Sequence, residues 1–256
     1  MRTRRVRVLI VPVLAIGFAL SAFAITTVKV KVTCPICRTE NEFWDYASWG
    51  SYVYNWPSKF QLVFWPQTSS ATIYSCKKCH FTLFMWDFKD FPKDKIEDAK
   101  RLLASVKVSG DFEAYTDIPG SEKLRIAEKI YKLLDRDDAF WARFYRLRGY
   151  YLTQEHKPAE AAQAREKSLE ITQRMLADPA NDGRKKELLV ESAAMHHFLG
   201  WDPQALGELK SAAVLKFDDA KLGEEQSKGY DAYLSALIKE YSVAIAEHKV
   251  PDGTEE

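Results

Sequence analysis

Val32-Thr33-Cys34-Pro35-Ile36-Cys37-Arg38 and Tyr74-Ser75-Cys76-Lys77-Lys78-Cys79-His80 carry the only four cysteines of a 256-residue chain. Each is a C-x-x-C unit, and 38 residues lie between the two pairs. Two such units are the layout of a four-thiolate metal site built from two tight turns. Upstream of the first pair, Thr26 to Thr33 alternates, with Val28, Val30 and Val32 on one face and Lys29 and Lys31 on the other. That period of two predicts a strand running straight into Cys34. Pro35 fixes one backbone angle of the turn. Ala71 to Ser75 and Phe81 to Trp86 are strand-like on either side of the second pair. Strand, knuckle, strand, twice over, predicts a small zinc-ribbon-like module across residues 25–92.

Three chemistries compete for these cysteines. Zinc held by Cys34, Cys37, Cys76 and Cys79 would have a closed shell with no position for substrate, so it would fold the protein rather than catalyse. Disulfides within or across the pairs are the second reading, in an oxidising compartment. Haem c is the third: Cys76-Lys77-Lys78-Cys79-His80 fits C-x-x-C-H, with His80 as proximal ligand and Met175, Met195, His196 or His197 as a distal one. Structural zinc leads, because it uses both pairs, whereas haem leaves Cys34 and Cys37 unexplained.

The chain starts with Arg2, Arg4, Arg5 and Arg7, and Val8 to Ala24 then runs without a charge and ends on Ala22-Phe23-Ala24. This is the pattern of an export signal, and predicts removal of residues 1–24 and a periplasmic or cell-envelope address. The alternative is an uncleaved segment, residues 8–24, anchoring the chain in the membrane. The whole chain has 37 Lys+Arg and 36 Asp+Glu; loss of the four arginines leaves 33 against 36, a net charge of −3. A chain so balanced is not expected to bind nucleic acid, which rests on neutralising phosphates.

Residues 34–91 hold 16 of the 33 aromatic residues. Large rings give much buried area in a small module, so they are expected to form its core. The alternative is a carbohydrate-binding platform in the envelope that uses the tryptophans, Trp49 and Trp56 among them.

From residue 93 the pattern turns helical, with stretches over 93–106, 121–135, 137–153, 158–177, 184–199, 203–217 and 223–248, broken at Gly, Pro, Asp and Asn. Gly149, Ala161 and Ser168 in one helix pair, and Ala193, Ala205 and Ala212 in the next, occupy the small-residue positions of a tetratricopeptide-like hairpin. The offset between Ala161 and Ala205 is 44 residues, longer than a tetratricopeptide's 34, so the repeat is degenerate or residues 178–183 are an insertion. A helical repeat-like domain over 93–250 is expected to offer its hairpins to a protein partner. Residues 251–256 are polar and acidic and are expected to be disordered.

No catalytic constellation stands out: there is no G-x-S-x-G, phosphate loop or H-E-x-x-H. His196 follows Glu191 at five residues rather than four, which points it off the face of Glu187 and Glu191 and makes it a satisfied or exposed histidine. Arg143, Arg146 and Arg148 are expected on a solvated helix face.

The cysteine motifs Val32-Thr33-Cys34-Pro35-Ile36-Cys37 and Tyr74-Ser75-Cys76-Lys77-Lys78-Cys79, with Tyr54-Asn55-Trp56-Pro57 between them, Phe88, and Leu124 to Leu134 followed by Trp141-Ala142-Arg143, resemble a bacterial family, domain of unknown function 2225. The resemblance covers most of residues 30–217. It implies a zinc-ribbon-like segment followed by tetratricopeptide-like helices, and no known activity. Relatives carry glycine after the second knuckle, and often after the first; here His80 and Arg38 stand there, which keeps the haem and disulfide readings open. The expected protein is therefore α+β, an exported interaction or scaffold protein with a structural zinc site.

Overall fold

The computed structural model describes residues 25–48, 56–108, 110 and 112–251. The expected export or anchor segment 1–24, Trp49, Tyr54-Asn55 and residues 252–256 of the acidic tail lie outside them. Among the described residues, four strands in two small sheets precede seven α-helices.

Strand β1 (Thr26–Thr33) pairs antiparallel with β2 (Glu40–Ser48), Val30 opposite Phe43 and Val32 opposite Asn41. Its valine face dips gradually into the core: Val28 is 42% exposed, Val32 only 3%. Strands β3 (Ile73–Ser75) and β4 (Thr82–Phe84) form the second hairpin, Ile73 opposite Phe84 and Ser75 opposite Thr82, with every residue buried. They are shorter than the alternation suggests, because Ser70–Thr72 coils into a 3-10 turn. Two-stranded sheets of this size are marginal alone, so each must be held by something else.

Much of that support is aromatic. Phe43 of β2 stacks on Tyr74 of β3 with ring centres 4.0 Å apart, and Phe88 and Tyr115 close edge-on against the pair. Phe84 of β4 then meets Tyr131, Phe140 and Phe144. Those rings belong to α2 (Gly120–Tyr131) and α3 (Asp138–Gln154). One apolar core therefore runs across residue 92 and joins the β part to the helices. Among the described residues the rings of this segment are mostly core, as expected; Trp44 and Trp86 stay exposed.

The remaining helices are α1 (Ile96–Ala104), α4 (Pro158–Ala177), α5 (Lys185–Phe198), α6 (Asp202–Ala213) and α7 (Glu224–Ala246). Asp137 caps α3 by accepting from the Phe140 N–H at 2.8 Å, and Pro158 and Pro203 occupy first turns, where the missing N–H costs nothing. Left-handed residues end three helices: His156, Gly200 and His248. The next N–H bonds back to close each end, Lys157 to Leu152, Trp201 to His196 and Lys249 to Ala244, all at 2.8 Å. Helix α6 stops at Ala213 rather than 217, since the Phe217 N–H donates to Asp231 Oδ1 at 2.7 Å and its ring is buried.

Helices α3 and α4, and α5 and α6, form the two expected hairpins. Ala161, Ser168, Ala193, Ala205 and Ala212 are all fully buried, and a Cβ on Gly149 would lie 3.0 Å from Arg165 Cγ. The loop before α5 is clamped rather than free: a Cβ on Gly183 would fall 2.1 Å from the Asp218 carbonyl oxygen, and the Asp218 N–H donates to Gly183 O at 2.8 Å. Among the described residues, no helix is long and apolar enough to cross a membrane.

Candidate metal centre

The two knuckles are built alike. Cys34 N–H donates to Thr39 O and Arg38 N–H to Cys34 O; Cys76 N–H donates to Phe81 O and His80 N–H to Cys76 O, all between 2.9 and 3.1 Å. In the first turn the Cys34 sulfur accepts the N–H groups of Ile36 and Cys37, and in the second the Cys76 sulfur accepts those of Lys78 and Cys79. Such N–H···S bonds aim both sulfurs of each turn to one side.

The turns face each other. The four Sγ atoms lie within 4.8 Å of one another. Across the turns, Cys34 Sγ is 3.7 Å from Cys79 Sγ and Cys37 Sγ is 3.5 Å from Cys76 Sγ. A tetrahedral zinc ion with bonds of about 2.3 Å separates its sulfurs by about 3.8 Å, close to the two distances across the turns. A disulfide needs about 2.05 Å, and all four cysteines are free. Cys34 and Cys76 are fully buried.

The electrostatics of the cluster suit a cation. Sharing a hydrogen with Cys76 and lying buried push the Cys34 thiol up to about 12. Cys79 is driven up by its contacts with Cys34 and Cys76 and by burial, while hydrogen bonding from Cys34 pulls Cys76 down. Crowding the thiols together thus works against ionising all of them without a counter-charge. A dipositive ion would stabilise the thiolates, which is why metal affinity and thiol protonation are linked.

The haem string is drawn elsewhere. Cys76 and Cys79 converge on Cys34 and Cys37, and His80 is outside the group. His196 and His197, named as distal ligands, already hold Glu208 and Asp202 through Nδ1 at 2.7 and 2.6 Å. Met175 and Met195 are buried in α4 and α5.

Arg38 and His80 occupy equivalent positions after the second cysteine of each turn, with φ of 62° and 56°. That left-handed backbone costs an L residue roughly 1–2 kcal/mol, which glycine avoids at some entropic cost. Arg38→Gly combined with His80→Gly should leave the centre intact and raise the melting temperature by about 2–4 °C, read by calorimetry. A fall would show that the two side chains hold the turns by contacts.

One supporting residue is invisible in the spacing. Asn41, 3% exposed on β2, donates to Thr39 O at 2.9 Å in the first turn and accepts from the Lys77 N–H at 3.0 Å in the second. Its Nδ2 also points at Cys76 Sγ, 3.7 Å away. It ties the knuckles together, and nothing but the β1–β2 register brings it there. Asn41→Ala is expected to weaken metal binding about 10- to 100-fold, the usual effect of losing such a partner, measured by competition with a chromophoric chelator.

The arginine expectation is corrected in part. Arg146 is buried, 2.9 Å from Glu191, and Arg148 pairs with Glu128, so neither sits on a solvated face. Helix α3 packs against α4 and α2, Arg146 reaches the Leu62 carbonyl, and of the three arginines only Arg143 is exposed. His196 is the satisfied histidine the spacing suggests.

The chain matches no protein-family model, no curated protein and no solved structure. Its class rests on fold and site: a small two-sheet β part carrying a cluster of four thiols able to hold a metal ion such as zinc, followed by a mostly helical part.

Proposed function

We propose that the chain is an exported, non-catalytic scaffold or interaction protein, with a structural zinc ion on Cys34, Cys37, Cys76 and Cys79 fastening the two hairpins of its β part to each other. The observation carrying the metal reading is the four sulfurs brought within 4.8 Å by two turns of identical build. Export rests on the sequence of residues 1–24, and the partner reading on the α3–α4 and α5–α6 hairpins. The resemblance to the domain of unknown function 2225 implies the same layout. Metal analysis, absorbance and a thiol count on native protein test the centre. One zinc per chain, no Soret band and thiols that react only after chelation are the expected result. A Soret band, or two disulfides without metal, would overturn it.

A second reading is favoured by one cavity. A recess of about 400 Å³ is lined by Trp56, Trp65, Tyr150 and Tyr151 beside the hydroxyls of Thr68, Ser69 and Ser70. Gln154 also lines it, and its buried Nε2 has no hydrogen-bond partner. Ring faces beside hydroxyl and amide groups suit a sugar. Quenching of tryptophan fluorescence by envelope glycans, lost in Trp56→Ala, would support this reading; no quenching by any fragment would remove it.

A further inference from the structure

A cavity of about 450 Å³ opens where α3, α5 and α7 meet the segment 62–67. It shares no residue with the sulfur cluster. One wall is apolar, made of Leu62, Phe64, Phe140 and Leu234; the other is ionic. Most of the ionic charge is already matched. Arg146 lies 2.9 Å from Glu191 and donates through Nε to Leu62 O at 3.2 Å. Arg184 donates to Glu187 Oε2 at 2.7 and 2.9 Å, and the Tyr230 hydroxyl donates to Glu187 Oε1 at 3.0 Å. Asp137 is committed to capping α3.

Arg143 is the exception. Among the described residues no carboxylate lies within ion-pair distance of it. Partial desolvation at the cavity mouth, and then the neighbouring Arg146, lower its hold on its proton, while Glu191, Asp137 and Asp87 oppose this without reaching it, so an incoming carboxylate supplies the direct partner it lacks. We propose that the cavity binds a small organic monocarboxylate, its carboxylate on the Arg143 guanidinium and its apolar body against Phe64, Phe140 and Leu234. The planar guanidinium fork matches a carboxylate in two parallel hydrogen bonds. A dianion fits less well, because Glu187 and Glu191 line the same space and burial with Glu191 already raises the Glu187 pKa. The volume is that of an ordinary small-molecule site, and its lining is richer in charged groups than most. The same chemistry is offered by a free acid and by the carboxylate end of a peptide.

Calorimetric titration of the full chain tests this, using 4-phenylbutyrate, its primary amide, phenyl phosphate, and the peptide Gly-Gly-Leu-Phe as free acid and as amide. The acids are expected to bind, the amides and the phosphate at least about tenfold more weakly, the loss expected for a charge-assisted pair. Arg143→Gln, at an exposed position, is expected to lose the same factor with the melting temperature unchanged. Tighter binding of the peptide acid than of phenylbutyrate assigns the site to a chain end, and the reverse to a free acid. Equal binding of acid and amide, binding unaltered in Arg143→Gln, or no binding of either acid at millimolar concentration would overturn the proposal. None of these outcomes bears on the zinc reading, which involves other residues.

Discussion

Cys76→Ser, or extraction of the metal by a chelator, is expected to unfold the β part and lower the melting temperature of the whole chain by roughly 10–20 °C. The size follows from what the centre holds. Apparent binding free energies of structural zinc are about 10–16 kcal/mol in small modules. Here, among the described residues, the two hairpins have no sheet neighbours, and the cage is the direct link between their turns. A net loss of even about 5 kcal/mol moves the midpoint of a chain this long by that range, at about 2–4 °C per kcal/mol. The damage would spread, because Phe43, Tyr74 and Phe84 pack in the same core as Tyr131 and Phe144. It would also stop. Val190, Leu209, Leu237 and Tyr241 belong to a second apolar cluster around α5, α6 and α7. Near-UV circular dichroism should collapse while much of the far-UV helical signal survives. Unchanged melting after verified loss of the metal would remove the fastening role.

Much of this was readable residue by residue. The cysteine spacing pointed to the cage, since only a turn on each pair can bring four sulfurs together. Small residues at Ala161, Ser168, Ala205 and Ala212 marked the hairpin seams, because close helix approach excludes anything larger. Pro158 and Gly200 marked helix boundaries through backbone limits that act locally. What escaped depends on partners far away in sequence. Asn41 looked like an ordinary strand residue until the register placed it between the knuckles. Arg146 looked solvated because its burial comes from residues 62–67 and from Glu191 on α5. His156 and His248 end helices where glycine is the usual signal. The division at residue 92 was legible as a change of pattern, but not the core that crosses it.

Lys123 is the second place where a large effect is expected: the stability of the chain should rise steeply between about pH 7 and pH 10, and Lys123→Met should abolish the rise. This lysine sits on α2 with no exposed surface, its Nζ donating to Ser70 O at 2.8 Å and lying 4.9 Å from the centre of the Tyr115 ring. A carbonyl and a ring face stabilise an ammonium far less than water does, and among the described residues no carboxylate is within ion-pair distance. Burial therefore drives its pKa from 10.5 to about 7, with Asp117 opposing only weakly. The unfolded chain keeps this proton up to about pH 10.5, while the folded chain gives it up above about 7. Unfolding in that window takes up a proton, so stability grows with pH there and is flat below 7. At about 1.36 kcal/mol per unit the full span is on the order of 5 kcal/mol. Tyrosines bound the window from above. Burial pushes Tyr115 up to about 12 and Tyr74 above its ordinary value, so beyond pH 10 the unfolded state loses those protons first and stability turns down. Urea denaturation at pH 7, 8, 9 and 10 on the wild type and Lys123→Met separates these contributions. The variant should be the more stable at pH 7, and its advantage should shrink as the pH climbs, because methionine carries no desolvated charge. Parallel curves would mean that the ammonium stays protonated inside the fold, held by a partner stronger than the Ser70 carbonyl.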